Sequence, residues 1–148
     1  MDGFELKYGF PPGDNQALLV EDGQRAVAAL TDSSPVATDL VTFYRSIHEV
    51  VLADVGNGYW IDSVDGVLVM LAEYGPVHVG EDLDGLVIGS DGGGWSYVVA
   101  TDGTVWRTQT ATWDEHDLDL VADDLRLLLE LLEHSVTRFI ATGEPGFV

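Results

Sequence analysis

An α+β fold, a mainly antiparallel sheet flanked by helices, is what this sequence predicts. Three observations carry that reading. The segments after Leu86 alternate between apolar and polar residues and are joined by short turns such as Asp102-Gly103. Connections that short cannot hold the crossover that parallel strands need. The segment before Gly143 carries a broad apolar stripe at helical spacing: Leu120, Val121, Leu125, Leu128, Leu129, Leu132, Val136 and Phe139. The chain has 148 residues, 46% of them apolar, with no internal repeat or Pro/Ser-rich linker. That suits one domain with its own core, spanning 1–148.

The elements follow in order. Gly9-Phe10-Pro11-Pro12-Gly13-Asp14-Asn15 is turn-rich and reads as irregular. Between Ala17 and Leu30, Asp22-Gly23 fits a hairpin turn, while Leu18, Leu19, Val27 and Leu30 fit a helical face. The reading adopted is a helix over 21–30. Ser34-Pro35 opens a second helix, with Ser34 accepting from the free N–H groups of the first turn and Pro35 at the first helical position. Val36, Leu40, Phe43, Tyr44 and Ile47 then recur at helical spacing. Residues 48–52 (HEVVL) and 59–61 (YWI) read as strands around a loop. Ser63 caps a helix over 64–74, which Gly75-Pro76 stops. Strands follow at 86–88, 95–100 and 104–108, with Gly89 to Gly94 (GSDGGG) as a turn. The final helix is expected over 119–140.

Composition removes whole classes of function. There is no Cys, which excludes disulfide scaffolds, thiol nucleophiles and Cys-based zinc sites. No apolar run reaches the ~18 residues of a membrane span. The first ten residues, MDGFELKYGF, are acidic and lead into no apolar stretch, so no secretory signal and a cytoplasmic location are expected. Twenty-six acids face six bases, a net charge of -20 with Lys7 the one lysine. Such a field repels nucleic-acid phosphates and anionic membranes and attracts a basic partner. A genome that depletes Lys codons, or a salt-adapted host, would give the same composition.

Catalytic and metal motifs find no support. In a phosphate cradle the glycine turn opens a helix, whereas GSDGGG runs into a strand, has no Walker lysine, and carries Asp91. It is read as a turn whose glycines supply positive φ. His48, His78, His116 and His134 are scattered, with no HExxH spacing. His116 sits among Asp114, Glu115 and Asp117, but without EF-hand spacing, so the cluster is read as a solvated loop. No GxSxG elbow is present. No catalytic, cofactor-binding or metal-binding residue is assigned, and no enzyme activity is expected. The candidate binding residues are acids and one aromatic anchor: Glu81, Asp82, Asp84, Trp113, Asp114, Glu115 and Asp117. Acids at 119, 123 and 124 are expected near a helix N-terminus, where the dipole favours them.

Several short segments, in order, resemble the SMI1/KNR4 group, the SUKH superfamily. They are Ser34 to Tyr44 (SPVATDLVTFY), Ile47 to Val50, Asn57 to Ile61, Val87 to Gly94 (VIGSDGGG), Thr104-Val105-Trp106 and Val121 to Leu128. The resemblance spans 34–134. Val36-Ala37 stands where the family's early helix has Leu-Pro, and Asp124-Leu125 where the closing helix has Ser-Phe. The resemblance implies a non-catalytic protein-binding module. Bacterial members are regarded as immunity proteins that neutralise contact-delivered toxins, often nucleases, inside the producing cell. The implied partner is a basic toxin domain, with neither nucleic acid nor membrane bound. An intracellular scaffold or regulator is the alternative, and a carboxylate-based hydrolase a further one.

Overall fold

Strand β5, Leu83–Asp91, is the centre of the architecture seen in a computed structural model, which describes residue 6 and residues 15–109 and 118–146. Among the described residues the strands are β1 (Gln16–Leu19), β2 (Ile47–Leu52), β3 (Tyr59–Ile61), β4 (Val77–Gly80), β5, β6 (Ser96–Ala100), β7 (Val105–Thr108) and β8 (Leu118–Ala122). The helices are α1 (Gly23–Ser33), α2 (Thr38–Tyr44), α3 (Val64–Tyr74) and α4 (Leu125–Thr142). The sheet runs β1-β2-β3-β5-β6-β7-β8, and β4 pairs with β5 beside that path. Every pairing is antiparallel. The fold is α+β, as the sequence predicts.

Strand β5 is long because both its edges are used. Strand β6 pairs along one edge from Gly85 to Ser90. On the other edge β4 takes Leu83 to Gly85 and β3 takes Gly89 to Asp91. The segment GSDGGG therefore begins inside a strand rather than a turn. A Cβ at Gly89 would overlap the Trp60 carbonyl, and one at Gly92 the Asn57 carbonyl, so both glycines serve close backbone approach. Of the glycines at 92 to 94, Gly94 has positive φ, 89°. Asp91 finishes the turn. Its Oδ1 accepts from the Gly93 and Trp95 N–H groups at 2.9 and 3.0 Å, and its own N–H donates to the Trp95 carbonyl.

All four helices bury apolar side chains in one cluster on one side of the sheet, while Met70 of α3 packs on the other. Leu30, Leu40, Phe43, Tyr44, Val64, Val67, Leu125, Leu128 and Leu132 join Ile61, Leu86, Ile88, Tyr97, Val99 and Val105 in one cluster. Burying each large aliphatic side chain contributes about 1.5–3 kcal/mol. Tyr44 is fully buried, and its hydroxyl donates to the Asp62 carbonyl at 2.8 Å. That bond ties the helix layer to the end of β3.

The caps correct two expectations. Ser34 ends α1 rather than starting α2. Its N–H donates to the Leu30 carbonyl, and α2 begins at Thr38 after the buried Ala37, with no side-chain cap. The helix expected over 119–140 starts at Leu125. Residues 118–122 pair with β7 instead, and Asp124 caps α4 by accepting from the Leu127 N–H at 2.7 Å. Asp119 therefore sits on a strand. The Asp22-Gly23 alternatives resolve as a helix start, because Asp22 accepts from the Arg25 N–H at 3.1 Å. The helix over 64–74 stands as expected, capped by Ser63 and ended at Gly75.

Two stability measurements check this account by urea unfolding. Gly89→Ala forces β3 and β5 apart and is expected to cost about 3 kcal/mol. Asp124→Ala is expected to cost about 1 kcal/mol, and Ser34→Ala markedly less, because Asp124 alone of the two caps a helix N-terminus.

Candidate functional site

The acids of the β4–β5 hairpin are the part of the expected binding set that lies within the described residues. Glu81 and Asp82 occupy the exposed turn between the strands. Asp84 is on β5, opposite His78 of β4, whose Nδ1 lies 2.5 Å from its Oδ1. The Asp84 carbonyl accepts from the Thr101 N–H at 2.9 Å, which holds the β6–β7 turn beside the hairpin. Asp82 and Asp84 then share a cleft of about 310 Å³ with Ser34, Pro35, Pro76, Gly85 and Thr101. The structure thus joins two predicted acids to the Ser34-Pro35 segment, 47 or more positions earlier. Glu81 is in the same turn but does not line the cleft. Trp113, Asp114, Glu115 and Asp117 lie outside the described residues, as does His116.

The exposed position of this hairpin follows from local chemistry. Strand β4 is four residues long and is an edge strand, and its His78 is exposed. A short edge with charged residues resists pairing with other chains. It also leaves the acids in solvent, where their field is open to a partner.

A second cleft, of about 430 Å³, was not foreseen from the residues. Val20, Ala26, Ala29, Tyr44, Ile47 and Val64 form its apolar part, and Asp22, Arg25, His48 and Asp65 its polar part. These come from the segment after β1, and from α1, α2, β2 and α3. The one local signal was His48, whose side chain on a strand points to the face opposite that of Glu49. Strand alternation turns it towards the helix layer with Val50, and Glu49 away from it. Near this cleft, burial and then the Glu49 charge push the Asp62 carboxyl above its ordinary range. Burial, with Asp62 second, raises the Tyr44 hydroxyl as well, so it stays a neutral donor.

A third polar group is internal. Tyr97 and Arg107 face each other across β6 and β7. Arg107 stacks 4.3 Å over the Trp95 ring. Burial, then Asp91, raises both Tyr97 and Tyr59, while Arg107 opposes the shift. The Tyr97 hydroxyl and Arg107 Nε are buried without a hydrogen-bond partner. The Arg107 Nε is thus turned inward while its guanidinium lies against the Trp95 ring.

Among the described residues no group of three or more His, Asp or Glu could hold a metal ion. No helix among them is long and apolar enough to cross a membrane. No family model matches this chain, and no curated protein matches it.

The Asp62 shift has a definite sign. Its folded pKa lies above the unfolded value, so the charged carboxylate costs stability at neutral pH. That cost is relieved as pH falls through the raised value towards the ordinary carboxylate range. Asp62→Asn is expected to raise the urea midpoint at pH 7. The difference from the parent is expected to shrink on acidification and to vanish once both states are protonated.

Proposed function

We propose that this chain is a non-catalytic protein-binding module of the SUKH kind, which neutralises a basic toxin domain, such as a nuclease, in the cytoplasm. The observation that carries the reading is charge: 26 acids against six bases. Three of the described arginines are also engaged. Arg126 and Arg138 pair with Glu130 and Glu144 at 3.0 and 2.7 Å, and Arg107 lies against Trp95. A nuclease groove is basic because it must hold phosphates. An acidic surface of the right shape competes for that groove and is drawn to it by long-range attraction, which raises the association rate. The hairpin acids Glu81, Asp82 and Asp84 are part of that surface, and Trp113, Asp114, Glu115 and Asp117 are proposed to extend it.

The first test is co-purification from native lysate at low and high salt. A basic toxin domain held at low salt supports the reading. Host proteins retained equally at both salts support the scaffold alternative instead. With the toxin in hand, Glu81→Gln, Asp82→Asn and Asp84→Asn combined are expected to slow association about tenfold at low salt and little at high salt. Unchanged rates and an unchanged salt slope in stopped-flow measurements would remove the hairpin from the binding surface.

A further inference from the structure

The sheet has a second face, onto which the described helices send one side chain, Met70 of α3. The helix-side cluster holds Val50, Leu52, Tyr59 and Ile61, so strand alternation turns Val51 and Trp60 to the other side. Across β6 and β7, Val98 stands opposite Trp106, and Trp106 stands opposite Leu120 of β8. Val98 and Val87 are buried in a separate small cluster, with Val77 and, at its fringe, Met70, Val79, Trp106 and Leu118. Beyond that cluster the face opens: Trp60 and Trp106 are half-buried, and Leu120 is 51% exposed. Two tryptophans and a leucine partly open to solvent on this face are the composition of an interface core.

Charge says what covers this face. It carries Glu49, which stands beside Val51 in the alternation and opposite Leu18 of β1. Glu81 is exposed in the β4–β5 turn at the end of the sheet, whereas Asp82 lines the cleft beside Ser34-Pro35 on the helix side. None of the described arginines is on this side. Arg25 is on α1, Arg45 follows α2, Arg126 and Arg138 are on α4, and Arg107 pairs with Tyr97 on the helix side. A second copy would bring one acidic rim against another, each chain with a net charge of -20.

We infer that the open sheet face around Trp60, Trp106 and Leu120 is the docking surface for a basic protein partner, with aromatic anchors at its centre and acids at its rim. This rests on the proposed toxin-binding function and names the face that performs it. The tryptophans supply apolar contact, and Glu49 and Glu81 meet the partner's arginines or lysines.

The test uses the full chain labelled with nitrogen-15, and the four tryptophan indole N–H signals report position. The probe is an end-blocked peptide, Arg-Leu-Arg-Leu-Arg-Leu, titrated at low salt. The Trp60 and Trp106 signals are expected to move, and that of Trp95, which lies over Arg107 on the helix side, to stay. Leu120→Asp separates apolar docking from plain attraction, because it makes the chain more acidic. It is expected to weaken peptide binding about tenfold. Equal or tighter binding by Leu120→Asp overturns the inference. Peptide-induced shifts confined to Trp95 and the hairpin also overturn it, and leave the acidic-surface function standing. No binding of the arginine peptide at all removes both. Concentration-dependent Trp60 and Trp106 shifts without peptide, together with a dimer by sedimentation, assign the face to a second copy and overturn it.

Discussion

The close approach of three strands to β5 is the constraint on which the rest of the molecule depends. Strand β3 can pair with the second half of β5 because Gly89 leaves room for the Trp60 carbonyl, and the turn can close because Gly92 leaves room for that of Asn57. Asp91 then holds the turn through two backbone N–H groups. Asp91 is buried although the glycines after it are exposed, and a carboxylate that accepts backbone bonds is a stronger acceptor than a neutral group. With β5 in place, β4 is placed on its first half and β6 along its other edge. The hairpin acids, the helix layer and the open face take their positions from this one strand.

Layering on one side follows from the helices. Each carries one apolar stripe, and each stripe enters the same cluster. Tyr44 is the point where they lock. It is buried, meets Phe43 edge-to-face at 5.1 Å, and bonds the carbonyl at the end of β3. A sheet covered mainly from one side has alternate residues left on the other, where Met70 of α3 is the helical side chain that packs. In this chain those residues include two tryptophans rather than polar groups alone. The same layering gathers the arginines of α1 and α4 on the helix side, so the charge is uneven as well as acidic.

Elements with strong local chemistry were legible in the residues. The helix over 64–74 has Ser63 at its start and Gly75-Pro76 at its end. The β6–β7 hairpin has Asp102-Gly103, where Gly103 has a φ of 97°. Strands β1, β4 and β8 were not legible as strands. They are four, four and five residues long, and β1 and β8 are largely exposed, so their own patterns are weak. Leu120 and Val121 fit a helical stripe and a strand equally well, and pairing with β7 decides between them. Ser34 carries the chemistry of a helix start, yet the buried Ala37 sets where α2 begins.

Local chemistry alone settled the α+β class, the helix capped by Ser63, the Asp102-Gly103 turn and the strongly acidic character, because each rests on neighbours in the chain or on a simple sum of charges. Tertiary contacts decided which acids share a cleft and which side chains face away from the helices. Face is set by strand register, and a shift of one residue reverses it. Here the register slips between Val87 and Gly89 and again between Val105 and Trp106. Those irregularities exist only when strands meet across the sheet, so no pattern within a single segment reveals them.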